Sequence, residues 1–64
     1  MAKVDKPPSY KFYTTEEVGE ILRIHAQSVR NLLLKKRMGG IKIGMEWRIS
    51  EDDLTEFIKE NRNK

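Results

Sequence analysis

Between His25 and Arg48 the chain carries Arg30, Lys35, Lys36, Arg37, Lys42 and Arg48 against a single acid, Glu46, so that stretch holds +5 and the rest −2. Arg30 and Asn31 are side chains that can read base edges. A guanidinium pairs bidentately with guanine O6 and N7, and a carboxamide with adenine N6 and N7. The same residues also suit an ordinary solvated helix face. Lys35, Lys36 and Arg37 can neutralise phosphates, compensate the negative end of a helix dipole, or do both. Catalysis has no candidate constellation: His25 is the single histidine, cysteine is absent, and the acids sit mainly where helices should start. His25 reads instead as a cap or a neighbour of phosphate. Gly39, Gly40 and Gly44 lack the spacing and the Lys-Ser/Thr ending of a nucleotide loop and fit turns. No enzyme activity, metal or cofactor is expected.

The elements that must position these residues follow from local pattern. Thr14-Thr15-Glu16-Glu17 has the form of a capping box, the Thr14 hydroxyl serving free amides while Glu17 reaches back. Val18, Ile21 and Leu22 at i, i+3 and i+4 then predict a first helix from about 15 to 23 with that stripe inward. After a short break at Arg23-Ile24-His25, Val29, Leu32 and Leu33 form the inward stripe of a second helix, 26 to about 36. Its opposite face carries Gln27, Asn31 and Leu34, flanked by Arg30 on one side and by Ser28 and Lys35 on the other. Two helices about three residues apart, the second with hydrogen-bonding side chains outward, form a helix-turn-helix pattern.

Met38-Gly39-Gly40 predicts a chain reversal using glycine at positive φ, and Ile41-Lys42-Ile43 and Trp47-Arg48-Ile49 flank a loop at Gly44-Met45-Glu46. Alternation in that register puts Ile41, Ile43, Trp47 and Ile49 on one apolar side, with Lys42 and Arg48 together on the other. Trp47 reads as core rather than as a base-stacking platform. Ser50-Glu51-Asp52-Asp53 repeats the capping logic for a third helix, with stripe Leu54, Phe57 and Ile58 and an end near Asn61. The expected fold class is therefore α+β, in the order helix, helix, two-stranded hairpin wing, helix. Residues 1–11, with Lys3, Asp5, Lys6, Pro7, Pro8 and Ser9, read as a flexible arm before a single domain at 12–64.

At 64 residues a second domain does not fit, and one core this small supplies no more than about 3–5 kcal/mol of net stability. A buried active-site cavity is not expected. The lack of cysteine, of an apolar run near the length of a bilayer span, and of a signal-peptide pattern predicts a soluble cytoplasmic protein with no membrane contact.

Taken in order, Thr14-x-Glu16-Glu17-Val18, the Arg23-Ile24-His25 turn, Ser28-Val29-x-x-Leu32-Leu33, Ile41-Lys42-Ile43-Gly44, Trp47-Arg48-Ile49 and Asp53-Leu54 resemble the excisionase-type branch of the MerR-like winged helix-turn-helix family over roughly residues 12–60. The resemblance implies a small module that binds double-stranded DNA, its second helix in the major groove and its wing on adjacent backbone or minor groove. Carried over by position, the implied contacts are Gln27, Ser28, Arg30 and Asn31 on the helix and Lys42 and Arg48 on the wing, with Lys35 added as a phosphate neutraliser. Three positions depart from the family pattern: Arg23 and Lys36 stand where glycine is usual, and His25 stands where a serine cap is usual. The mercury-regulator type continues into a coiled coil, so with the sequence ending at Lys64 effector sensing is not expected.

The role this implies is an excisionase-like recombination directionality factor or a small transcriptional regulator, acting with an integrase-type recombinase or with further copies of itself on DNA. The rival expectation is a protein-interaction adaptor of a phage or plasmid assembly whose basic face is incidental. An exposed apolar patch would favour the rival, with Leu34 and Met45 as candidates. Leu34 itself is open between a thymine methyl, packing under the wing and a partner protein.

Overall fold

A computed structural model describes residues 11–62. Its elements run β1 (Phe12–Tyr13), α1 (Thr15–Leu22), α2 (Ala26–Leu34), β2 (Ile41–Ile43), β3 (Glu46–Ser50) and α3 (Glu51–Glu60). The arm expected at 1–11 lies outside the described residues except for Lys11, whose carbonyl accepts a hydrogen bond from the Glu51 amide at 3.0 Å.

α1 begins on a complete capping box. The Glu17 amide donates to the Thr14 hydroxyl at 3.1 Å and the Thr14 amide donates to the Glu17 carboxylate at 2.9 Å, so two otherwise orphaned donors are satisfied. The inward stripe is Thr15, Val18 and Gly19, with Leu22 half-buried. Ile21, expected inward, is 47% exposed. The stripe rotates because small residues face α2: a Cβ on Gly19 would lie 2.7 Å from the Ile24 carbonyl oxygen, so only glycine lets α1 pass this close to the turn.

The turn itself is left-handed at Arg23 (φ 63°, ψ 43°), and the Arg23 and Ile24 amides both close on the Gly19 carbonyl. α2 follows from His25, whose side chain makes no capping hydrogen bond. It ends two residues before the expected Lys36, in a Schellman arrangement: the Arg37 amide donates to the Leu32 carbonyl at 2.8 Å and the Lys36 amide to the Leu33 carbonyl at 3.1 Å, with Lys36 left-handed at φ 61°. The reversal therefore turns on Lys36. Gly39 and Gly40, expected to supply positive φ, do not; Gly44 is the glycine that does.

The sheet has three antiparallel strands in the order β1-β3-β2, one more than the two-stranded wing expected. Phe12 pairs with Ser50 and Tyr13 with Ile49, tying the start of the domain to the wing's inner strand. In the hairpin Ile43 pairs with Glu46, Lys42 with Trp47 and Ile41 with Arg48. The loop is thus two residues, Gly44-Met45, rather than three, and a one-residue change of register turns one strand's side chains to the other face. Ile41 and Ile43 accordingly leave the core and share a face with Arg48 and Glu46. Lys42 parts from Arg48 and sits with Trp47, its Nζ 5.5 Å from the ring centroid.

α3 starts at Ser50, whose hydroxyl accepts the Asp53 amide at 3.0 Å, and carries Glu51, Asp52 and Asp53 in its first turn, where the dipole favours acids. Leu54 is buried, Phe57 half-buried, and Ile58, expected inward, exposed. The core is Val18, Val29, Leu33, Met38, Ile49 and Leu54, with Tyr13, Leu22, Leu32, Trp47 and Phe57 packed around it. Val18, Val29 and Ile49 are fully buried, so one residue each from α1, α2 and β3 meets at the centre. Helix, helix, wing and helix around that centre make a small α+β winged helix-turn-helix.

Candidate nucleic-acid interface

Burial of Val29 and Leu33 fixes the rotation of α2 and so decides what it shows to solvent. Gln27 and Asn31 are exposed, and Ser28 and Arg30 half-exposed. Three of these side chains form a bonded row: Gln27 Nε2 donates to Asn31 Oδ1 at 3.3 Å and Arg30 Nη1 donates to Gln27 Oε1 at 3.2 Å. Spacings of three and four residues put them on one face, one turn apart. Leu34 is 64% exposed at the end of the helix, so it does not pack under the wing.

Arg30 is also held from outside α2. Its Nη2 lies 3.2 Å from Glu16 Oε2 on the first turn of α1. The Glu16 carboxyl is held below the usual carboxylate value, first by a backbone amide hydrogen bond and then by the Thr15 hydroxyl; desolvation opposes them, and Arg30 and Arg48 add the smallest pulls. Arg48 sits across from it: its Nη2 lies 2.9 Å from Glu46 Oε1 and its Nη1 donates to the Trp47 carbonyl at 2.9 Å. Thr14, Thr15, Glu16, Arg30, Met45, Glu46, Trp47 and Arg48 line a polar cleft between the helices and the wing. Arg30 and Arg48 are therefore brought to one cleft, each with a carboxylate beside it. Both pairs are solvent-exposed and add little to stability, but they pre-position the two guanidinium groups.

The remaining positive charge lies elsewhere. Lys35, Lys36 and Arg37 cluster at the end of α2, and Lys42 projects from the outer strand of the wing; all are exposed, and none has a carboxylate within ion-pair distance among the described residues. Lys42 and Arg48, expected side by side, lie on opposite faces of the hairpin. Sequence reasoning missed the clamp between Glu16 and Arg30, because Glu16 already had a local explanation as an acid in a first helical turn. Met38, which the sequence places in a turn, is buried in the core.

Among the described residues no group of three or more histidine or carboxylate side chains converges to hold a metal, and no helix is long and apolar enough to cross a membrane. The sequence profile of a family described as a helix-turn-helix domain matches residues 12–62. Comparison with curated proteins and with solved structures gives no match. With the match running from β1 through α3, and the turn, the second helix and the wing all formed, the chain belongs to this helix-turn-helix domain family, which includes excisionase-type DNA-binding domains.

Proposed function

We propose that this protein binds double-stranded DNA with α2 in the major groove and the wing on the adjacent backbone or minor groove, as an excisionase-like directionality factor or a small transcriptional regulator. The observation that carries the reading is the bonded, exposed row Gln27, Arg30 and Asn31 on α2. Donors and acceptors held at fixed spacing on one helix face are what base-edge recognition requires. Ser28 borders that row, Lys35 and its neighbours serve phosphates beyond it, and Lys42 and Arg48 serve phosphates from the wing.

A module of this size buries about 600–1,000 Å² of its own surface on DNA, so useful occupancy calls for several copies side by side or an integrase-type recombinase beside it. Copies bound in series bend the duplex by adding contacts stepwise, and that shape is the output a recombination complex needs. The exposed Leu34 and Met45, together with Ile41 and Ile43, favour a second reading, an adaptor that docks a protein partner through apolar surface while its basic face stays idle.

A duplex titration across salt concentrations separates the two. With about three to five phosphates contacted, log K falls against log salt with a slope of roughly −3 to −4.5. A flat response, or no binding to duplex at low salt, removes DNA binding and leaves the adaptor.

A further inference from the structure

At the apex of the wing Met45 borders the polar cleft toward Glu16 and Arg30 without being buried in it. Met45 is 91% exposed, more than any other large hydrophobic among the described residues. It sits in the two-residue turn beside Gly44, whose φ of +62° puts glycine at the first central position, and a Cβ there would meet nothing within 4 Å. Polar residues are the ordinary occupants of such a turn, and an apolar one gains nothing by lying in water. Immediately behind the apex Ile43 is 63% exposed. The two-residue turn itself is therefore uncharged and apolar, and the first charge behind it is Glu46, opposite Ile43.

The flanks of that turn are charged in a particular way. Lys42 stands on the Trp47 face and Arg48 on the Ile41 face, so one cation leaves each side of the ribbon. The acid nearest the apex, Glu46, is ion-paired with Arg48 at 2.9 Å. That bond and the one to the Trp47 carbonyl use two of the five guanidinium N–H groups, leaving three for an external anion.

A DNA minor groove is about 6 Å wide, with a row of phosphates along each rim. A hairpin, with strands about 4.8 Å apart before its side chains are counted, enters such a groove only if the groove widens. A single side chain at the turn needs no such widening. An unbranched thioether bends to fit an irregular gap, and methionine is among the wedges that open a base step.

We propose that Met45 inserts into a minor-groove base step and kinks the duplex toward the major groove, while Lys42 and Arg48 hold the phosphates of the two opposite rims. The proposal rests on the duplex-binding reading above and adds to it the contact that produces bending. Pyrimidine-purine steps such as TA unstack most easily and are the steps such a wedge selects.

The test uses a mixed-sequence duplex of about 30 base pairs with central TA steps, 2-aminopurine beside one of them and a fluorophore pair at its ends. The whole chain is compared with Met45→Asn, a residue at home in the turn, and with Met45→Leu, which keeps an apolar wedge; circular dichroism confirms each fold. The protein should raise 2-aminopurine emission and shorten the end-to-end distance, consistent with a kink of about 20–90°. Met45→Asn should lose both signals and bind about tenfold more weakly, and Met45→Leu should keep them. Binding without either signal, or signals unchanged in Met45→Asn, overturns the wedge while leaving DNA binding intact. Absence of binding by the unaltered protein overturns the duplex reading and the wedge with it.

Discussion

In the α1–α2 unit Val18 and Val29 are fully buried, Gly19 lets two stretches of backbone come into contact, and both helices end in left-handed residues that satisfy their last carbonyls. In the wing every residue of β2 is exposed, and only β3, through Trp47 and Ile49, reaches the core. One region is specified by burial and the other is attached through a single strand. The consequence is that side chains on β2 and at the turn contribute almost nothing to folding, which leaves Lys42, Ile43 and Met45 free to answer to whatever the wing touches.

The comparison breaks most visibly within the sheet. Ile49→Ala removes a fully buried side chain and should cost about 2–5 kcal/mol, enough to unfold a domain this small. Ile43→Ala should stay within about 0.5 kcal/mol. Urea denaturation followed by circular dichroism measures both, and similar costs would mean that the wing is as much a part of the core as the helices.

A smaller effect sharpens the helical side. Gly19→Ala improves helix propensity yet drives a methyl group against the Ile24 carbonyl, and the net result should be a loss of about 1–3 kcal/mol in the same assay. A gain in stability would show that the α1–α2 turn yields easily. Smallest is the relief of strain at the helix ends. Arg23→Gly and Lys36→Gly each remove a side chain from left-handed backbone and should stabilise by about 0.5–1 kcal/mol after the extra freedom glycine brings to the unfolded chain. Loss of stability in either variant would point to a packing role for the arginine or lysine stem.

The same division explains what the sequence disclosed. Both serine or threonine caps, the α2 stripe and the order of elements were legible, because each depends on residues within one or two turns of one another. The wing register was not. Gly44-Met45-Glu46 and Gly44-Met45 are equally good turns on paper, and the choice between them sends Ile41 and Ile43 into the core or out to solvent. Strand β1 is not legible, because two residues carry no readable periodicity. Ile21 and Ile58 look like core by spacing, but the approach of neighbouring elements, set by small residues such as Gly19, decides which part of a broad apolar stripe is covered. In the candidate site, the positions of Gln27, Arg30 and Asn31 on one face followed from helix periodicity, whereas the Glu16 clamp on Arg30 spans 14 residues and two elements.

The central claim is that the exposed row on α2 reads DNA while the wing holds it. The direct measurement selects a preferred site from a pool of random duplexes, then compares affinity for that site with affinity for random duplex. Asn31→Ala and Arg30→Ala should each lose about 1–3 kcal/mol on the preferred site and much less on random DNA, whereas Lys42→Ala should weaken both alike and reduce the salt slope by about one. If the ratio of preferred to random binding is unchanged in the Arg30 and Asn31 variants, with their folds intact by circular dichroism, α2 is not the reading element and the account is contradicted.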